Sequence, residues 1–154
     1  DIYKTTRQNI EQHINNIYED KYITLLRSNI VTLYKEEDFS EIKSFTLNFT
    51  PKEMEVGHNG EFITFADGGE VATLDMEALE ITEWSLGGAN YGWVDSDMIY
   101  AIDNGDLFVY DFDGLNRRRL ASNISGHYPV TITSDKWLYY FSDGALMREW
   151  LIKR

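Results

Sequence analysis

The residues of this chain with the most chemical capacity are three histidines and a recurring aspartate. His13, His58 and His127 are the histidines. His13 and His127 fall at nearly the same point of the first and last of four similar segments, just ahead of a short apolar run. Two such imidazoles with a carboxylate match the ligand number of an open zinc site, although polar loop positions account for them without a metal. Asp67, Asp103 and Asp143 recur at one apparent repeat position. Brought onto a common face they could offer oxygen ligands to a cation such as calcium. Aspartate at or next to a glycine turn is also what tight-turn geometry selects. "DFDG" (111–114) has the opening of a calcium loop but lacks the later ligands and the closing glutamate. "GGAN" (87–90) and "DGGE" (67–70) lack the lysine and following helix of a phosphate loop and read as turns.

No nucleophile with an adjacent base stands out. A catalytic reading therefore rests on carboxylates around a shared mouth, which would make the protein a hydrolase or lyase. The competing reading is recognition. Tyr91, Trp93 and Tyr128 lie in or next to the loop before the first strand of their segments; exposed there, with His127 and His13, they would form a platform for a peptide or a sugar ring.

The elements that must hold these residues repeat. "GEFITFADGGEVATLDMEALEITEW" (60–84) aligns with "SDMIYAIDNGDLFVYDFDGLNRRRL" (96–120), and "DKWLYYFSDGALMREWLIKR" (135–154) follows the same pattern to its last residue. Each copy is an apolar strand, an Asp-Gly or Asp-Asn-Gly turn and a second alternating strand, the strongest hairpin signal a sequence offers. A fourth copy lies upstream, with Ser28-Asn29 at its turn. Short apolar segments precede each hairpin (14–18, 54–57, 91–95, 130–133), and a further strand follows the first three (42–49, 79–86, 117–122). The unit is a four-stranded antiparallel meander repeating about every 36–40 residues, near the ~40–45 of known blade repeats. Four units are expected, at 14–49, 54–86, 91–122 and 130–154. Residues 2–7 are expected to complete the last unit by pairing beside 145–151, which removes an exposed edge. Ile10, Ile14, Ile17 and Tyr18 also fit a helical period; strand is preferred for 14–18 and a helical turn is allowed for 8–13.

Composition agrees with an all-β domain. Of 154 residues 14% are aromatic, with 10 Tyr and 8 Phe against 2 Pro, and a single domain over 1–154 is expected. A net charge of −12 repels phosphate backbones and anionic lipid, so nucleic-acid binding and membrane insertion are not expected. The basic run Arg117-Arg118-Arg119 reads as protection of a sheet edge. The absence of cysteine excludes disulfides and thiolate chemistry. The opening Asp1-Ile2-Tyr3-Lys4 reads as that of a piece cut from something longer.

"YDFDGLNRRRL" (110–120) and "TSDKWLYYFSDGALMREW" (133–150) resemble the TolB-like or PD40-type β-propeller repeats, relatives of WD40. The first matches the passage from third to fourth strand of a blade, and the second a Ser-Pro-Asp-Gly-Lys strand-opening motif reduced to Ser-Asp. The resemblance spans roughly 14–154. It implies a propeller and a non-enzymatic binding or scaffolding role towards a protein or glycan, in a bacterial cell-envelope protein; an architectural spacer is the remaining alternative. Four blades would either close into a small ring or form half of a larger one completed by a homodimer.

Overall fold

The computed structural model describes residues 12–17, 22–57, 59–87, 90–124, 131–132 and 137–150, with 12–17 and 131–132 described as backbone. Among them are fifteen strands and no helix. They form four antiparallel meanders. The first holds β1 (Gln12–Ile17), β2 (Tyr22–Arg27), β3 (Ile30–Lys35) and β4 (Glu41–Thr46). The second holds β5 (Glu53–Val56), β6 (Phe62–Asp67), β7 (Glu70–Asp75) and β8 (Glu80–Ser85), and the third β9 (Asn90–Trp93), β10 (Met98–Asp103), β11 (Asp106–Asp111) and β12 (Arg118–Ala121). The fourth consists of β13 (Thr131–Ile132), β14 (Trp137–Ser142) and β15 (Ala145–Trp150). The expected blade order therefore stands. Gln12 and His13 are strand rather than helical turn, each paired across to β2, because the meander supplies partners that an isolated turn lacks. The proposed outer strand 2–7 lies outside the described residues.

The hairpin between second and third strands sets each register. Asn104 and Gly105, with φ of 50° and 81°, and Asp143 and Gly144, with φ of 51° and 77°, both enter the left-handed region, as a two-residue loop matching strand twist requires. A second device recurs that the sequence pattern does not announce. The turn carbonyls of Asn29, Gly69 and Gly105 accept hydrogen bonds from the backbone N–H of Leu47, Leu86 and Ile124, at 2.8, 2.6 and 2.7 Å. All three donors are buried residues just after the fourth strand, so each blade's exit is tied back to its own turn.

The sheets stack face to face. Period-two alternation divides each blade into a face towards the preceding blade and a face towards the following one. Leu26, Val31 and Leu33 of the first blade pack on Ile63, Phe65, Ala72 and Leu74 of the second. The opposite face of the second blade, Phe62, Ala66 and Val71, meets Ile99, Ala101 and Tyr110 of the third. Leu107 and Val109 then meet Leu138 and Tyr140 of the fourth. A sheet covered on both sides reads as a continuous apolar run, and β6 is buried from Phe62 to Ala66. Polar ties bridge blades at their outer strands: Lys43 Nζ donates to the Leu79 carbonyl at 2.7 Å, and Glu83 accepts from the Asn48 backbone at 2.9 Å and side chain at 3.1 Å.

Candidate functional site

The three recurring aspartates do not share one position. Asp67 and Asp103 end their strands, opposite Glu70 and Asp106, whereas the corresponding residue of the fourth blade is Ser142, opposite Ala145. Asp143 sits one residue later, inside the turn. A shared Asp-Gly spelling hid this shift, because glycine holds the second turn position in all three loops (Gly69, Gly105 and Gly144) while the first is Gly68, Asn104 or Asp143. Each carboxylate is engaged locally: Asp67 with Lys52, Asp103 with Arg117 at 3.4 Å and with the Asn104 amide at 2.8 Å, and Asp143 with the Asn123 amide at 3.4 Å. Among the described residues no three His, Cys, Asp or Glu groups converge as a metal site would require. His13 lies on β1, while His58, His127 and Tyr128 fall outside the described residues.

The aromatic platform is also changed by the structure. Tyr91 and Trp93 belong to β9 itself rather than to the loop before it. Both occupy the face turned to the second blade. Trp93 is 4% exposed, stacked with Phe62 at a centroid distance of 6.1 Å, so it fills the gap between blades instead of presenting a ring to a ligand. Its indole N–H has no hydrogen-bond partner among the described residues. Tyr91 is half-buried. Burial first, then the charges of Glu53 and Glu55, push its hydroxyl well above the ordinary phenol value. Tyr100 moves the same way, through burial and Glu55.

The structure thus brings together Tyr91 with Glu53 and Glu55, two exposed carboxylates of the first strand of the neighbouring blade. Sequence reasoning passed over both glutamates. Their signal was the alternation Glu53-Met54-Glu55-Val56, in which Met54 and Val56 turn to the core between the first two blades and the glutamates are left outward. The arrangement holds no nucleophile and base pair; it presents negative charge and hydrogen-bond acceptors. The basic run behaves as an edge: on the outermost strand β12, Arg119 pairs with Asp106 at 3.2 Å, and just before it Arg117 lies 3.8 Å over the Phe108 ring.

No family model and no curated protein matches the chain. Solved structures do. The C-terminal WD40 domain of Sif2 superimposes with a TM-score of 0.58 at 15% identity, over 89% of this chain and 42% of that one. The yeast heterotrimeric Nup82-Nup159-Nup116 nucleoporin complex gives 0.61 at 11% identity, over 88% and 40%. Dihydro-heme d1 dehydrogenase NirN in complex with DHE gives 0.56 at 16% identity, over 83% and 34%. These likenesses show the fold: the described residues form β-propeller blades like those of WD40 domains, and the chain spans less than half the length of each of these neighbours. The neighbours differ in role, so the fold does not by itself name one.

Proposed function

We propose that this chain, with residues 1–154 as one domain, is a protein-interaction module that receives a basic segment of a partner protein along the first strands β5 and β9. The observation carrying the reading is the placement of exposed Glu53 and Glu55 beside the half-buried Tyr91 hydroxyl. Propellers arrange their sheets around a central axis, and first strands turned towards that axis would gather these groups at a mouth. The net charge of −12 steers a cationic partner and repels an anionic one. WD40 neighbours, one of them within a nucleoporin complex, support a scaffolding role. The TolB-like subtype and a cell-envelope setting belong to the same proposal and rest on the strand-opening stretch 133–150. Glycan recognition is the lesser reading, because burial of Trp93 withdraws one of the rings that a sugar would stack on.

Titration calorimetry with a lysine-rich peptide, a glutamate-rich peptide and a set of neutral oligosaccharides tests it. The lysine-rich peptide should bind with an affinity that falls as salt rises, and Glu53→Gln with Glu55→Gln should weaken it about tenfold, equivalent to roughly 1.4 kcal/mol. Binding of an oligosaccharide in place of the basic peptide, or basic-peptide affinity unchanged by the double substitution, would overturn the proposal.

A further inference from the structure

The third strand of every blade begins with an equivalent pair of positions, and the second of them records whether a blade has a neighbour. Val31, Val71 and Leu107 occupy it in the first three blades, opposite Leu26, Ala66 and Ile102. All three are 0% exposed. Leu146, opposite Phe141, holds the same position in the fourth blade and is 61% exposed. At the sixth position of the strand the first three blades carry Lys35, Asp75 and Asp111, as suits a rim, whereas the fourth carries Trp150. Trp150 is 46% exposed and packs edge-on against Trp137 at 4.8 Å; Arg148, two residues before Trp150 on the same face, lies 4.4 Å from the Trp137 ring. An outward sheet face with this much apolar area marks an interaction surface rather than ordinary solvent exposure.

The array has a second open end. Each contact between neighbouring blades uses one face of each sheet, and the first blade meets the second through Leu26, Val31 and Leu33, so it keeps its other face, bearing Leu25, Ile30, Tyr34 and Glu41. Ile30 is 42% exposed. The two open faces do not meet in any hydrophobic cluster among the described residues. They are, however, the two halves of the contact that already joins each blade to the next. Arg148 on one and Glu41, whose carboxylate accepts from Ser44 at 2.9 Å, on the other are of opposite charge.

We infer that the occupant of both faces is a second copy of this chain, joined head to tail twice about a two-fold axis to make an eight-bladed ring. Four blades per copy double to the upper end of the usual four to eight, and the chain covers 42% and 40% of two solved propellers, close to a half-ring. The inference is independent of the acidic mouth, since neither Glu53 nor Glu55 lies on these faces.

The experiment is light scattering of the whole chain, alone and in mixtures. The wild type should weigh twice its 17.9 kDa. Leu146→Glu, which blocks the fourth-blade face, and Leu25→Glu, which blocks the first-blade face, should each be monomeric while circular dichroism shows intact sheet. Mixing the two variants restores one unblocked contact, so dimer should reappear in the mixture alone. A folded wild-type monomer at 100 µM, the result expected if the faces close on each other or take further blades of one polypeptide, would overturn the inference. So would a wild-type dimer that persists in both variants, which would place the contact elsewhere. The wild-type mass decides the matter even if a variant fails to fold. Failure of basic-peptide binding would leave this result untouched.

Discussion

The second and fourth blades are built from the same repeat and end in different surroundings. In β7 four consecutive residues, Val71 to Leu74, are buried; in β15 the four residues from Ala145 are exposed. Residue type does not explain this, since Leu146 is no more polar than Val71. Surroundings differ in two ways: β7 lies between two sheets and between β6 and β8, whereas among the described residues β15 has a sheet on one face only and is the edge strand of its own sheet, so that Met147, on the face towards the third blade, is exposed as well. Burial in a stacked repeat is thus a property of the array, contributed at each interface between neighbours, and the exposed Leu146 face is the one inferred above to pair with a second copy.

The largest expected effect separates the two positions directly. Leu107→Ala removes a fully buried side chain and should lower stability by about 2–5 kcal/mol. Leu146→Ala, in a sample dilute enough to be monomeric, should change it by less than about 0.5 kcal/mol. Urea titrations of both variants make the comparison, and equal losses would break it.

A smaller effect probes the packing between second and third blades. Gly114 has a φ of +79°, and a Cβ there would lie 2.5 Å from the Trp84 ring, whose indole N–H is held by Thr73 at 3.1 Å. Gly114→Ala should cost about 1–3 kcal/mol, read as a lowered urea midpoint. The polar tie between first and second blades is weaker: Glu83→Ala should cost about 0.5–1.5 kcal/mol, because the backbone N–H of Asn48 is exposed and water replaces the carboxylate.

The pH dependence sharpens the contrast between the Tyr91 site and the open rim. Tyr91 has a folded-state value raised above the ordinary 10.0 by burial and by Glu53 and Glu55. The unfolded chain therefore releases that proton first. The stabilisation is complete below pH 10 and declines as pH rises through 10 towards the folded value. Tyr91→Phe should flatten the alkaline loss in denaturant melts between pH 9 and 11, and Tyr100, shifted the same way, should leave part of the slope in place.

Most of the architecture was legible because hairpin chemistry and period-two alternation act locally. Asn104-Gly105 and Asp143-Gly144 mark their turns by their left-handed conformation, and the strands lie within about three residues of expectation, β4 ending at Thr46 rather than at 49. Site residues were less legible, because exposure depends on which sheet lies opposite. Trp93 reads as a platform in one dimension and is a buried wedge in three. Glu53 and Glu55 become a feature only when β9 brings Tyr91 alongside. The displaced Asp143 shows the complementary error: a matching dipeptide aligned turns of the same length in which the aspartate sits one residue apart.

Hydrogen exchange of the wild-type chain, compared between micromolar and hundred-micromolar samples, tests most directly the claim that a missing neighbour separates β15 from β7. The account predicts that β7 amides are strongly protected and indifferent to concentration, while β15 amides exchange early in the dilute sample and slow markedly in the concentrated one. Protection of β15 equal to that of β7 in the dilute monomer, or rapid exchange of β15 at both concentrations, would contradict it.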